Sequence, residues 1–324
     1  MDECPEDWPA DWKQVGSPLV RRESTIHRLN SPSCRRSICV KVVNGEAQDA
    51  ASLYQALSHY HARSDLGNGY TVPEPFGWVP EHGAVIMEWV EGQTLCAILK
   101  RKMFFTKRRH ENIRKAAGWL RWFHSQSELE PGNFGKGKQL KSVIKVFEEA
   151  RDLEKAATVH DPALEGYLEL ALKSKGVLRG VEMDRAILHR DFKPTNLLIT
   201  SSGVVVGIDF LGRKKGPVTY DICRLLSELD FYQALRGRSL ALSFGSKSND
   251  FEVFLSAYGG RAGGIARPVF VYLYFLTIVS ILAHQRRRFK SGAGNRIRLA
   301  FIRRFARQLS HEVSKWAGNP PPTE

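Results

Sequence analysis

The feature that most constrains this chain is a run of eight residues, His189-Arg190-Asp191-Phe192-Lys193-Pro194-Thr195-Asn196, set between short apolar segments. Ala186-Ile187-Leu188 reads as one strand before it, Leu197-Leu198-Ile199 as a second after it, and Val204 to Ile208 as a third. Ser201-Ser202-Gly203 supplies the turn between the last two. The expected result is a β-hairpin standing alone among helices. Its antiparallel ladder brings Asn196 and Asp209 to the same end, with Asp191 close to both. Three oxygen-bearing side chains in one place can hold a hard divalent cation, because Mg²⁺ prefers oxygen ligands and keeps several waters.

The chain around the hairpin falls into two compositions. Val20 to Leu29 and Ser37 to Val43 are β-rich, separated by Asn30-Ser31-Pro32-Ser33. Residues 46–62 follow with helical spacing, Ala50, Leu53, Tyr54 and Leu57 sharing a face. Phe76 to Val79 and Ala84 to Trp89 read as two further strands around the turn Pro80-Glu81-His82-Gly83. After Gly92 the spacing turns helical, with helices expected over 94–103, 108–126, 138–156, 161–174, 219–234, 248–258, 267–286 and 295–316. The expected class is α+β and two-lobed: a small, mainly β lobe over 1–91 and a larger, mainly helical lobe over 92–317. The proline-rich tail 318–324 is expected to be disordered.

Phosphoryl transfer from ATP is mostly positioning and charge neutralisation, and the hairpin offers the groups it needs. At these residues the sequence resembles the protein-kinase-like superfamily. The run from His189 to Asn196 is similar to the catalytic-loop pattern H-R-D-x-K-x-x-N, and Ile208-Asp209-Phe210 to the metal-binding segment after it. The resemblance implies that Asp191 is the catalytic base and that Lys193 neutralises the transferring phosphoryl group. It implies that Asn196 and Asp209 coordinate Mg²⁺ and that His189 braces the loop. Cys39-Val40-Lys41-Val42-Val43 resembles the strand whose lysine, here Lys41, pairs with the nucleotide phosphates. Val85 to Leu95 resembles the hinge M-E-x-x-x-G-x-x-L of aminoglycoside-phosphotransferase-like kinases, so the backbones of Glu88 and Val90 are expected to meet the adenine edge. Asp221, heading the helix after Gly216-Pro217-Val218, is expected to cap that helix and brace the catalytic loop.

The sequence departs from the pattern in places. No G-x-G-x-x-G precedes the first strands; Gly16-Ser17-Pro18 is the nearest candidate. Asp209 is followed by Phe210-Leu211 rather than Phe-Gly, and the only glutamate available as a helix partner of Lys41 is Glu46. Only eleven residues separate Asp209 from Asp221, and no Ala-Pro-Glu follows. A serine/threonine protein kinase would place a long peptide-binding segment there. The reading is therefore an ATP-dependent phosphotransferase acting on a hydroxyl of a small molecule or glycan, in the aminoglycoside-phosphotransferase-like or lipopolysaccharide-core-like branch. The alternatives are a protein kinase and a pseudokinase or binding module.

Charge bears on the acceptor. Residues 1–100 hold 9 Lys+Arg against 13 Asp+Glu, while residues 101–324 hold 39 against 21. A positive field favours an anionic acceptor over a polycation. Residues 286–315 carry ten of these cations and one acid, Glu312, beside an apolar stripe of Ile297, Phe301, Phe305, Leu309 and Val313. That helix is expected either to dock on the large lobe or to make peripheral contact with an anionic membrane; no nucleic acid is expected. Pro268 to Ala283 is apolar over 16 residues, short of a membrane span, and reads as a buried core helix. Five scattered cysteines without a C-x-x-C pair, and an acidic N-terminus without an apolar leader, fit a cytoplasmic protein, with the inner membrane face as the alternative.

Overall fold

A computed structural model describes residues 10–21, 23–44, 47–101, 106–135, 148, 162–210, 214–234, 250–259, 267–287 and 293–315. The expected helix over 138–156, the tail 318–324 and Glu46 lie outside the described residues, apart from residue 148. The chain forms two compact units, each built from two separate stretches of sequence: 1–126 with 195–213, and 127–194 with 214–324.

In the first unit an antiparallel sheet runs in the order Lys13–Gln14, Ser24–Ser31, Arg36–Val43, Ala84–Glu88, Pro75–Val79, and Leu19–Val20 also pairs with Ser24–Ser31. The β-branched run Ile38 to Val43 explains the central strand, because such side chains fit a pleated surface buried on one face. The helix Ala47–His61 lies across this sheet, with Ala50, Leu57 and Tyr60 buried. At the turn before Ala84, Gly83 adopts φ +55°, a backbone that glycine takes without strain.

The hairpin that carries Asn196 and Asp209 belongs to this same unit, and it does not stand alone. Leu197–Ile199 pairs with Val205–Gly207, and the two lie within a four-stranded sheet in the order Tyr70–Thr71, Val205–Gly207, Leu197–Ile199, Gln93–Thr94. The outer strands are two residues long and show no periodicity of their own, which is why the sequence reading left the hairpin unpartnered. Trp119, Phe123, Tyr60 and Phe210 form the aromatic core beside it, with Trp119 and Phe123 stacked at 5.2 Å. Trp119 donates to the Thr71 carbonyl at 2.8 Å, tying the helix Thr106–Ser125 to the sheet.

The second unit has a three-stranded antiparallel sheet, Lys215–Pro217, Glu182–Ile187, Glu130–Asn133. Its helices among the described residues are Pro162–Val177, Thr219–Ala234, Asp250–Tyr258, Arg267–Arg287 and Ala293–Ser314. Arg267–Arg287 is the central one: Val269 to Leu276, Ile278, Val279 and Leu282 are all buried, as a helix apolar on every side requires. Among the described residues no helix is long and apolar enough to cross a membrane. Ala293–Ser314 packs against this central helix through Ile302, Phe305, Leu309 and Val313, leaving Arg303, Arg304 and Arg307 exposed. Phe305, Leu309 and Val313 of the stripe are therefore part of the core.

Candidate active site

The sequence-marked residues fall into two sets, one in each unit. The first unit holds Lys41, Glu88, Val90, Asn196 and Asp209; the second holds His189, Asp191, Lys193 and Asp221.

Within the first unit, Lys41 comes from the middle of the strand Arg36–Val43, and its Nζ donates to Asp209 Oδ1 at 2.7 Å. Both side chains are 17% exposed. Asp209 follows the strand Val205–Gly207, and the Ile208 N–H donates to the Asn196 carbonyl at 2.9 Å, so at the end of the ladder Asn196 stands opposite Ile208, one residue before Asp209. Phe210 is buried edge-on between Tyr60 and Phe123 and fixes the chain just past Asp209, whose φ is +60°. A residue other than glycine held in the left-handed region costs on the order of 1–3 kcal/mol, a strain that collects at functional sites.

Arg21 is a participant that the sequence reading missed. It sits at the turn between Leu19–Val20 and Ser24–Ser31, where its N–H donates to the Ser24 carbonyl at 2.8 Å. Its guanidinium donates to Asp209 Oδ2 at 2.6 Å. Nothing in its spacing marks it, because the contact spans 188 positions of sequence. Burial works against ionisation of Asp209, but Lys41 and Arg21 outweigh it and hold the carboxyl below the usual carboxylate range. Cys39 lies on the Lys41 face of the strand; burial, partly offset by Lys41, pushes its thiol up to about 11.

The hinge lies in the same unit. Glu88 ends its strand with its N–H already donated to the Glu74 carbonyl at 2.8 Å. Arg28 lies over the Trp89 ring at 4.8 Å and pairs with Glu91 at 2.5 Å, anchoring the segment on either side of Val90. Gly92 follows because a Cβ there would come within 3.0 Å of the Ile199 carbonyl oxygen.

In the second unit, Asp221 is fully buried in the first turn of Thr219–Ala234. One carboxylate oxygen accepts the His189 N–H at 2.7 Å and the other the Arg190 N–H at 2.8 Å. Asp221 thus holds the backbone of the loop, with Arg190 at φ +69°. His189 is buried, its ring 5.5 Å from that of Phe192 in an edge contact. Asp191 ion-pairs with Lys193 and lies 3.5 Å from Arg224, which is also 3.5 Å from Glu228 one turn on. Arg224, absent from the sequence reading, stands one helical turn after Asp221 on the face toward the loop.

Among the described residues no three His, Cys, Asp or Glu side chains converge on a metal. The residues present nonetheless fit Mg²⁺: Asn196 and Asp209 offer hard oxygens, and the Asp209 carboxylate already draws two cationic groups to within 2.7 Å.

A strand lysine paired with the aspartate of an Asn/Asp hairpin, and an Asp–x–Lys loop braced by a buried aspartate, in a mixed α+β fold, are what a protein-kinase-like phosphotransferase is expected to carry. Residues 25–248 match the phosphotransferase enzyme family (APH), and with that match the chain belongs to the family: it is an ATP-dependent phosphotransferase with an alcohol group as acceptor. An ethanolamine kinase from Plasmodium vivax shares the fold at 12% identity and a TM-score of 0.61, over 92% of this chain and 84% of that one. Choline kinase LicA from Streptococcus pneumoniae does so at 14% and 0.58, over 94% and 93%. A thermostable aminoglycoside phosphotransferase mutant in its apo form does so at 15% and 0.55, over 94% of each chain. No curated protein is significantly similar in sequence.

Proposed function

We propose that the protein moves the γ-phosphoryl group of ATP onto a hydroxyl of a small-molecule or glycan acceptor that carries negative charge. The observation that carries this reading is the Lys41–Asp209 contact at 2.7 Å beside Asn196, which gathers a phosphate-binding cation and two metal-binding oxygens in one unit. Residues 1–91 would serve the nucleotide and residues 92–317 the chemistry and the acceptor. With its N–H committed to Glu74, Glu88 would address adenine through its carbonyl, and Val90 through its backbone. Lys41 would hold the α- and β-phosphates. Asn196 and Asp209 would hold Mg²⁺, which when bound neutralises charge on the phosphates.

Asp191 would accept the proton of the acceptor hydroxyl as its oxygen bonds to the γ-phosphorus and the bond to the ADP oxygen breaks. Lys193 would offset the charge on the group in transit. His189 and Asp221 position the loop and touch no substrate. The acceptor reading rests on the charge of residues 101–324, 39 Lys+Arg against 21 Asp+Glu, since Lys193 and Arg224 at the loop are matched by Asp191 and Glu228. The similar enzymes named above phosphorylate ethanolamine, choline or aminoglycosides, and a positive field disfavours acceptors of that kind. The free thiols Cys34, Cys39, Cys96 and Cys223 support a reducing, cytoplasmic setting. Any contact with the inner membrane face would be electrostatic, through Arg303, Arg304 and Arg307.

The test is coupled ADP release over phosphosugars, nucleosides, choline-like amines, aminoglycosides and lipid A precursors, for the wild type and Asp191→Ala. Turnover is expected with an anionic acceptor. Asp191→Ala should lose about 10²–10⁴-fold in kcat while still binding ADP. A preference for amines would overturn the acceptor assignment, and undiminished turnover by Asp191→Ala would overturn the role of Asp191.

A further inference from the structure

Both oxygens of Asp209 are engaged: Lys41 holds Oδ1 at 2.7 Å and Arg21 holds Oδ2 at 2.6 Å. The two cations differ in how they are placed. Lys41 is 17% exposed and rises from the middle of a paired strand, so its position is set by the sheet. Arg21 is 43% exposed and stands on a turn after a strand of only two residues. Its side chain is long and its anchor light. A metal ion approaching Oδ2 to about 2.0–2.1 Å brings its charge against the guanidinium bonded to the same oxygen and competes with it. Of the two cations Arg21, on the lighter anchor, is the one that gives way.

The same turn occupies the place in the chain, just before Ser24–Ser31 and the lysine strand, where kinase-like sequences carry a glycine-rich phosphate loop. Here Gly16 is the only glycine before residue 45. A loop so poor in glycine brings few backbone N–H groups close to a polyphosphate. A guanidinium can supply those donors from a side chain, in a planar fork matched to phosphate oxygens.

The geometry points to Arg21 as a polyphosphate-binding residue that stands in for the metal on Asp209 while the nucleotide site is empty and moves onto the phosphates when Mg²⁺ and nucleotide enter. This rests on the nucleotide-binding reading above. It makes Arg21 both an obstacle to bare metal and a contributor to nucleotide affinity, two effects of opposite sign on one side chain.

Those signs are the test. Arg21→Gln is compared with the wild type in two binding experiments that need no acceptor and no turnover. Mn²⁺ titration of the nucleotide-free protein, followed by water-proton relaxation, should show tighter metal binding in Arg21→Gln by several-fold, since Oδ2 is released. Binding of a fluorescent ADP analogue at saturating Mg²⁺ should weaken by about tenfold, the scale of one charge-assisted hydrogen bond. Arg21→Lys should recover part of the second effect. If Arg21→Gln weakens both affinities, or changes neither, the inference is wrong. If the wild type itself binds no nucleotide, the failure lies with the phosphotransferase reading instead.

Discussion

Asp209 is held by two cations and ionises more readily than an ordinary carboxylate. Its folded value lies below the ordinary 3.8, so the stability it contributes is fully present above that value and is lost as pH falls through the folded one. Urea unfolding of the nucleotide-free wild type and of Asp209→Asn, followed down the acid range, should show a constant advantage for the wild type until pH drops below about 3.8. A gap that already narrows near neutral pH would contradict the pairing. At this scale the sequence was informative wherever chemistry and spacing are local. Asp191, Lys193 and Asn196 sit within six positions, and Asp221 heads a helix that reads as one. Arg21 and Arg224 were invisible because the aspartates they meet, Asp209 and Asp191, come from elsewhere in the chain. Of the two roles expected of Asp221, its carboxylate takes the bracing one, accepting two loop N–H groups from within the first turn of its helix.

The hairpin depends on one glycine. A Cβ at Gly207 would lie 1.9 Å from Trp119 Cζ2, and Trp119 is fully buried and tied to Thr71. Gly207→Ala must therefore push the tryptophan or the strand aside. Overpacking of this kind costs about 1–3 kcal/mol, and here it falls on the strand that leads to Asp209. Thermal unfolding should report the loss of stability, and ADP binding should weaken with it; a variant as stable as the wild type would contradict the close packing of Trp119 on Gly207. The longer elements were legible because apolar side chains recur along them, as in Arg36–Val43, Ala47–His61 and Thr219–Ala234. Glu130–Asn133 and Lys215–Pro217 were not, since Glu-Pro-Gly-Asn and Lys-Gly-Pro read as turns. They are strands only because Glu182–Ile187 lies between them.

For the molecule as a whole, the charge excess after residue 100 meets a C-terminal helix whose apolar side is already buried. Any flotation with anionic vesicles should therefore be abolished by moderate salt, and by Arg303→Glu, Arg304→Glu and Arg307→Glu together, without loss of the fold. Flotation that resists both would require apolar insertion and would contradict the packing of Phe305, Leu309 and Val313. Removing the helix outright is the poorer experiment, because it would uncover those side chains' partners in the core.

The first compact unit is completed by residues 195–213, which the ribosome delivers only after residues 127–194 have been made. Until then Tyr70–Thr71 lacks its parallel neighbour and Trp119 has no strand to rest against. At translation speeds this leaves residues 1–126 waiting on the order of ten seconds with the strands Tyr70–Thr71 and Gln93–Thr94 unpaired and an uncovered indole. A nascent chain halted near residue 130 should be correspondingly sensitive to protease within residues 1–126, and one in which residues 195–213 have emerged should be protected there.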